Sequence, residues 1–249
     1  MIKAVLCDLG DTLINFHEID VLKAFVQGAR QTYTYLANEL KLTLPPFDHY
    51  RRSQQWAIRW AYLKSKLTGR EFNSLDILRR STFNLRIPVP EDKLVELAWQ
   101  WYQPLAVQAK ADSFAIPMLQ ELARRNLKLA IVSNTFVPSS ALDQHLRQEH
   151  LLEFFPYRIY SCQVGVRKPR SKIFQVAIDQ LQVRPTEAVF IGDSPSADIR
   201  GARRVSLFAI LKVHHQRRFF PDSRTFLAYS LDQVPPIIDN INSTFSSLP

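Results

Sequence analysis

The 249-residue chain contains two cysteines and six glycines, and it has no long uninterrupted hydrophobic run. Cys7 and Cys162 have neither the density of a disulfide scaffold nor the paired spacing of a metal site, so we expect both to be reduced, buried thiols. The longest apolar-leaning stretch, residues 129–142, is shorter than a membrane span and is interrupted by Ser133 and Pro138. We therefore expect neither a disulfide framework nor a transmembrane segment, and no membrane partner.

Acidic residues are outnumbered, since 23 Asp and Glu face 32 Lys and Arg, which leaves a formal net charge of +9. This charge attracts anionic partners without choosing among nucleic acid, membrane and phosphorylated metabolites. The basic residues occur in scattered pairs without a nucleic-acid-binding motif, so we interpret them as solvated helix faces and expect no nucleic-acid partner. The two cysteines, expected to be reduced, predict a cytoplasmic protein, and the N-terminal apolar run is too short for a signal peptide. No pattern indicates an oligomeric state.

Short apolar runs rich in Val, Ile and Leu alternate with helical patterns in the first residues and in the second half of the chain. The runs are Ala4–Cys7, 129–132, 188–191 and 207–211, and the helical patterns are 118–125, 172–181 and 197–204. This alternation predicts an α/β fold in which helices cover both faces of a doubly wound parallel sheet. The tail from Phe219 onward has a mostly irregular pattern, and His214 and His215 lack ligand spacing and are expected at the surface.

The apolar residues between these two parts recur at helical spacing, which predicts an all-helical insertion. We expect a core domain formed by residues 1–14 and 106–249 and a helical cap domain formed by residues 15–105. Trp56 and Trp60 share one stripe with two leucines, so they are expected in the core of this domain. Trp99 and Trp101 are two apart on one helix, and we do not expect both to face inward.

The first apolar run leads into a segment with carboxylates and a hydroxyl, carried by Asp8, Asp11 and Thr12. The carboxyl edge of a parallel sheet is where open α/β folds bind ligands, so this is a suitable place for a nucleophile. An isolated Asp at a strand end is more often a turn former or a helix cap. The residues that follow the later runs decide between these interpretations.

Three later segments add groups that suit phosphate and metal chemistry. Ser133 and Asn134 follow the second run and offer a hydroxyl and backbone N–H groups for a phosphoryl oxygen, although Ser133 alone would be read as a helix cap. Lys168 supplies a cation just before a helical pattern, where an isolated lysine would be a surface residue. Asp193 and Asp198 lie five apart at a strand-to-helix turn, and such hard oxygen ligands suit Mg²⁺.

The order of these residues, with a helical insertion after the first strand, closely resembles that of the haloacid-dehalogenase superfamily. The resemblance covers nearly the whole chain and is most specific at residues 165–169 and 192–202. It implies that Asp8 attacks the substrate and forms an aspartyl-phosphate. It further implies that Mg²⁺ is held by Asp8, the backbone carbonyl of Gly10, Asp193 and Asp198. Lys168 would then bind the phosphoryl group together with Ser133, Asn134 and Thr12.

One position departs from the family pattern. Phosphatases of this family carry an Asp two residues after the nucleophile, which protonates the leaving group and later activates water, whereas this chain has Gly10, followed by Asp11. Loss of a general acid–base group costs about 10²- to 10⁴-fold in rate, unless Asp11 substitutes for it. We expect a Mg²⁺-dependent phosphatase acting on a small phosphorylated substrate. The alternatives are a catalytically impaired phosphate-binding or interaction protein and, third, a halo-acid dehalogenase, whose family members lack an acid at the position of Asp193.

Overall fold

A six-stranded parallel sheet forms the centre of the protein, and the computed structural model describes residues 1–213 and 222–245. The strands run in the order β5-β4-β1-β6-β7-β8, and a separate two-stranded sheet pairs β2 with β3. Their bounds are β1 Ala4–Cys7, β2 Ile14–Asn15, β3 Lys110–Ala111, β4 Lys128–Ser133, β5 Tyr157–Tyr160, β6 Ala188–Gly192, β7 Phe208–Lys212 and β8 Thr225–Ala228. When the strands of the six-stranded sheet are numbered along the chain, their order across the sheet is 3-2-1-4-5-6, which is that of a doubly wound dinucleotide-binding fold. The predicted fold class is confirmed.

Every residue of β1, β6 and β7 is buried, because helices cover a sheet of this kind on both faces. In β1, the residue Leu6 lies opposite Ala130 of β4 on one side and Phe190 of β6 on the other. The helices of this part are α5 Ala115–Arg124, α7 Ser161–Val164, α8 Ser171–Leu181, α9 Arg200–Arg204 and α10 Val234–Phe245, with a π-helix over Pro195–Ile199. The strand register therefore places the ends of β1, β4 and β6 side by side.

The described chain separates into two compact units. The first contains Met1–Asn15, Ala111–Asn134 and Glu149–Pro249, and the second contains Phe16–Lys110 and Thr135–Gln148. The second unit is helical, with α1 Val21–Thr34, a π-helix Tyr35–Glu39, α2 Phe47–Thr68, α3 Ser74–Asn84, α4 Leu94–Gln108 and α6 Ser139–Gln148. The assignment of core and cap roles to residues 1–14 with 106–249 and to residues 15–105 stays a prediction.

Helix α4 is the central helix of the second unit, and it corrects one sequence-based expectation. Trp99 and Trp101 are 5% and 1% exposed, so both are buried although they are two apart on one helix. Because α4 packs against α1, α3 and α6, opposite sides of it are covered. Close approach of α1 is possible because Gly28 has no side chain: a Cβ there would lie 2.1 Å from the carbonyl oxygen of Trp101.

The prediction for the other tryptophan pair is also wrong. Trp56 and Trp60 on α2 are 73% and 67% exposed. The face of α2 that is buried carries Tyr50, Gln54 and Ser65 instead. Spacing indicated correctly that the two tryptophans share a stripe, but the stripe faces away from the interior.

The C-terminal part is more regular than its sequence pattern predicted. Strand β8 and helix α10 lie within the tail that was expected to be irregular. Pro235 and Pro236 fall in the first turn of α10, where proline is tolerated because those N–H groups have no intrahelical partner. Cys7 is buried, as expected, but Cys162 is only partly buried. His214 and His215 lie outside the described residues.

Helices long and apolar enough to cross a bilayer are absent from the described residues.

Candidate active site

The site lies in the first unit, at the carboxyl ends of the three central strands. Asp8 follows β1 directly, and its backbone N–H donates to the carbonyl oxygen of Ile191 in β6 at 2.8 Å. This bond continues the β1–β6 ladder by one residue, so two buried strands fix the position of Asp8 at the carboxyl ends of the central strands. The residue is 9% exposed. Its position is the one at which the strand order of the sheet reverses, which is where open α/β sheets bind ligands.

A buried lysine occupies the centre of the site. The ammonium nitrogen of Lys168 lies 2.7 Å from Asp8 Oδ1 and 2.7 Å from Asp198 Oδ1, and it donates to the carbonyl oxygen of Val132 at 2.9 Å. Lys168 itself is 4% exposed. Burial alone would lower its pKa, but the charges of Asp198 and Asp8 outweigh this effect and leave the pKa of Lys168 raised. The lysine is therefore a fixed cation between two carboxylates.

The backbone of Lys168 is held by the residue that follows β4. Asn134 Oδ1 accepts a hydrogen bond from the Lys168 backbone N–H at 2.7 Å, and Asn134 Nδ2 donates to the Lys168 carbonyl oxygen at 3.1 Å. Both ends of this side-chain amide are thereby engaged with Lys168. Ser133, the last residue of β4, is 5% exposed at the same edge of the sheet.

Asp198 is fully buried and is fixed through both of its carboxylate oxygens. Oδ1 contacts Lys168, and Oδ2 accepts a hydrogen bond from the backbone N–H of Ser194 at 3.0 Å. Gly192 makes room for this carboxylate, because a Cβ there would lie 2.5 Å from Asp198 Cγ. Ser194 caps the π-helix, because its Oγ accepts a hydrogen bond from the Ala197 N–H.

Three carboxylates converge on one point. Asp8, Asp193 and Asp198 each offer an oxygen within 4.8 Å of the others. Burial, opposed by Lys168 and reinforced by Asp198, raises the pKa of Asp8 to about 7. Burial, followed by the charges of Asp198 and Asp11, raises the pKa of Asp193 to about 6. Three carboxylates with one lysine leave an excess negative charge that a divalent cation would balance, and their hard oxygens fit Mg²⁺.

The segment between β1 and β2 forms a tight loop. Asp11 adopts a left-handed conformation with φ of 55°, and its N–H donates to the carbonyl oxygen of Ile14 at 2.7 Å. Gly10 forms an isolated β-bridge with Ile14, and Gly10 is half-buried. Thr12 is fully buried, and its Oγ1 has no hydrogen-bond partner among the described residues. Asp11 is close enough to influence Asp193 but does not belong to the three-carboxylate cluster.

A second buried lysine, which sequence reasoning missed, holds this loop. Lys212 at the end of β7 is 4% exposed, and its ammonium nitrogen donates to the Thr12 carbonyl oxygen at 2.8 Å and to Asp112 Oδ2 at 2.8 Å. Asp112 in turn donates its backbone N–H to the Leu13 carbonyl oxygen at 2.9 Å. A lysine that directly follows the apolar run 207–211 was the signal that could have identified it.

The thiol next to the nucleophile position is not a reactive group. Cys7 is fully buried at the end of β1. Burial, together with the charge of Asp8, raises the pKa of this thiol far above its usual range. Because the thiolate is the nucleophilic form, Cys7 acts as a packing residue.

Comparison with known proteins assigns the chain to a family. A protein-family model, described as haloacid dehalogenase-like hydrolase, matches residues 2–206. The protein belongs to this family, and the predictions of family membership and of a hydrolase are confirmed. It is 29% identical over 217 residues to a glyceraldehyde 3-phosphate phosphatase of Methanopyrus kandleri, a match that covers 84% of this chain and 83% of the relative. It is 35% identical over 107 residues to a phosphoserine phosphatase of Thermus thermophilus, covering 43% and 40% of the two chains.

Solved structures give the same fold. A 2-haloacid dehalogenase from Pseudomonas syringae pv. Tomato superimposes with a TM-score of 0.66 at 22% identity, covering 96% of this chain and 99% of that chain. A HAD phosphatase from Thermococcus onnurineus superimposes with a TM-score of 0.59 at 25% identity, covering 95% and 98%. The fold therefore agrees with both dehalogenases and phosphatases, and the choice between these activities depends on the side chains of the site.

Proposed function

We propose that the protein is a Mg²⁺-dependent phosphatase that hydrolyses a small phosphorylated substrate through an aspartyl-phosphate on Asp8. The observation that carries the proposal is the buried arrangement of one lysine and three carboxylates at the end of β1. A haloacid substrate has no need of a divalent cation, whereas a phosphoryl group approaching Asp8 adds negative charge to an already acidic site. The cluster of Asp8, Asp193 and Asp198 thus favours phosphate over halide chemistry.

The residues present suit a two-step transfer. An oxygen of Asp8 attacks phosphorus and the bond to the leaving-group oxygen breaks; water then attacks the aspartyl-phosphate and releases phosphate. Lys168 neutralises charge beside Asp8, and Ser133 and Thr12 are hydroxyl donors for phosphoryl oxygens. Mg²⁺ bound among these groups would neutralise charge on the transferred phosphoryl group.

The roles within the acidic cluster follow from which oxygens are already engaged. Both oxygens of Asp198 contact protein groups, so this residue is best suited to hold Lys168 in place and to contact the metal through water. Asp8 and Asp193 would be direct ligands, with the backbone carbonyl of Gly10 as a third. Asn134 acts through Lys168, whose backbone it holds.

Gly10 determines the substrate preference that we expect. Without the second Asp, an alkoxide leaving group is not protonated, which costs roughly 3 to 5 kcal/mol of barrier. Acyl and aryl phosphates are affected less because their leaving groups are stable as anions. Asp11, which directly follows Gly10 and has a left-handed backbone conformation, is the carboxylate that could protonate the leaving group instead.

We further propose that residues 1–14 and 106–249 form the core domain, and that the helical residues 15–105 form a cap domain that selects the substrate. A cytoplasmic location also stays a prediction. The second candidate function, a phosphate-binding protein without turnover, is favoured by one observation, the glycine at position 10.

The test is hydrolysis of acetyl phosphate, p-nitrophenyl phosphate and an alkyl ester, glycerol 2-phosphate, with Mg²⁺ and with chelator, by the wild type, Asp8→Asn and Gly10→Asp. We expect Mg²⁺-dependent turnover that Asp8→Asn abolishes and Gly10→Asp increases most for alkyl phosphates. Circular dichroism and thermal unfolding of each variant serve as folding controls. Turnover that survives both chelator and Asp8→Asn would contradict the proposal. Binding of phosphate with Mg²⁺ but no turnover in the wild type, with activity in Gly10→Asp, would support the binding protein instead.

A further inference from the structure

Helix α2 exposes four large apolar residues, whereas Gln54 and Ser65 are among the residues that it buries. Trp56, Trp60, Leu63 and Leu67 are 73%, 67%, 50% and 79% exposed. Scattered exposed apolar residues are ordinary on protein surfaces, but these four lie in a row. We call this row the α2 stripe. Covering large apolar side chains with another surface lowers the free energy, so the stripe suits a docking surface.

The spacing of the α2 stripe is that of a coiled-coil seam. Its residues follow one another at intervals of four, three and four, which is the a and d spacing of a heptad repeat. With Trp60 at an a position, Trp56 and Leu63 are d positions and Leu67 is the next a position. The stripe is therefore shaped to receive a helix that lies along α2, with its own apolar side chains between those of the stripe.

The charges beside the stripe define the partner further. Arg52, Arg59 and Lys66 occupy three successive g positions along one side of the stripe, and Lys64 occupies an e position on the other side; all four are exposed. Residues 50–70 contain six Lys and Arg and no Asp or Glu. Because e and g residues pair across a coiled-coil seam, a second copy of α2 would bring cations against cations.

We propose that the α2 stripe binds an amphipathic helix of another protein whose apolar seam is flanked by Asp and Glu. Acidic e and g positions in the partner pair with the cations beside the stripe, whereas basic ones are repelled. Exposed tryptophan and arginine at the same face are the residue types that dominate binding energy in interfaces. Nucleic acid would match the cations and could stack on the tryptophans, but it makes no use of Leu63 and Leu67.

The test uses two synthetic four-heptad peptides with leucine at a and d, one with glutamate and one with lysine at e and g. Binding is followed by the tryptophan emission of the full chain, since Trp56 and Trp60 are exposed and the other two tryptophans are buried. We expect the glutamate peptide to shift the emission to shorter wavelength and the lysine peptide to leave it unchanged. Leu63→Ser with Leu67→Ser should weaken binding about tenfold or more, whereas Tyr229→Ser, an exposed aromatic outside the stripe, should not.

A charge-reversed variant makes the test specific. Arg52→Glu, Arg59→Glu and Lys66→Glu together should exchange the preference, so that the lysine peptide binds and the glutamate peptide does not. Equal binding of both peptides, or binding of neither, would overturn the proposal. It would equally be overturned if the emission shifted with protein concentration alone, which indicates a second copy. The same holds if anionic phosphatidylserine vesicles or single-stranded RNA produced the shift and the glutamate peptide did not.

Discussion

Replacing Gly192 by alanine tests whether the position of Asp198 depends on the absence of a side chain at the end of β6. A Cβ at residue 192 would lie 2.5 Å from both Cγ and Oδ2 of Asp198 and 2.6 Å from its Cβ. These distances are far below the contact distance of carbon atoms, about 3.5 to 4 Å. Asp198 is fully buried and has no open space to move into without leaving its partners. The carboxylate must therefore give up its contact with Lys168, its contact with the Ser194 N–H, or both.

The loss can be estimated from these two contacts. Overpacking of a buried site costs about 1 to 3 kcal/mol, and each hydrogen bond to a charged group contributes about 1.5 to 3 kcal/mol. Partial relaxation leaves an expected loss of about 3 to 5 kcal/mol, or roughly 10 °C in Tm at 2 to 4 °C per kcal/mol. Thermal unfolding followed by circular dichroism measures this. The increase in Tm on adding Mg²⁺ should shrink as well, because the stabilisation of the folded state at a given ligand concentration becomes smaller as the ligand's affinity falls.

Gly165→Ala is the matched control. Gly165 has φ of +78°, but a Cβ there meets no atom within 4 Å, so alanine adds backbone strain without a collision. Its expected cost is about 1 kcal/mol. If Gly192→Ala lowers Tm no more than Gly165→Ala, and the Mg²⁺ effect is unchanged, the steric argument is refuted.

Three further changes are expected to act through single contacts. Lys212→Met leaves the carboxylate of Asp112 without its buried partner and should cost about 3 to 5 kcal/mol, with Lys212→Arg recovering part of the loss in chemical denaturation; equal stability of the two variants would argue against the ion pair. Asp193→Asn in chelator should stabilise the protein by about 1 kcal/mol at pH 8 and less at pH 5. The reason is that an aspartate with a folded pKa of about 6 loses its contribution to stability as pH rises through that value; a pH-independent difference in Tm would contradict this. Tyr102→Phe removes the hydroxyl that lies 2.9 Å from Nδ1 of the buried His145 and should cost about 1 to 3 kcal/mol in urea unfolding, and a neutral effect would show that the bond is not needed.

The sequence predicted the strands that carry the site because their composition is extreme. Residues 188–191 are all apolar and lead into Gly192 and Asp193, and a short run of this kind is compatible with a strand buried on both faces. Strand β5 contains Tyr157 and Arg158, which are only partly buried, so it lacked this signal and was missed. Local composition identifies central strands of a parallel sheet far better than its edges.

Helical spacing predicted which residues of α2 share a face but not which face is buried. Trp56 and Trp60 form a regular apolar stripe. Helices α1 and α3 pack against α2, however, and it is Tyr50 and Gln54 that are buried. In the same way, the ion pair between Lys212 and Asp112 joins residues 100 positions apart, and no local pattern encodes such a contact. Partners of this type follow from the strand order and not from residue spacing.

Lys168 and Lys212, the two buried lysines described above, differ in the number of carboxylates that they contact. Lys212 faces a single carboxylate, that of Asp112, so its surroundings are electrically balanced. Lys168 contacts two carboxylates directly, with Asp193 close to both. Burial is the main reason that the pKa values of Asp8 and Asp193 are raised, and repulsion by the neighbouring carboxylates adds to it, because both effects favour the protonated acids. A divalent cation at this position would remove the repulsion and keep Asp8 ionised, which a nucleophilic carboxylate requires.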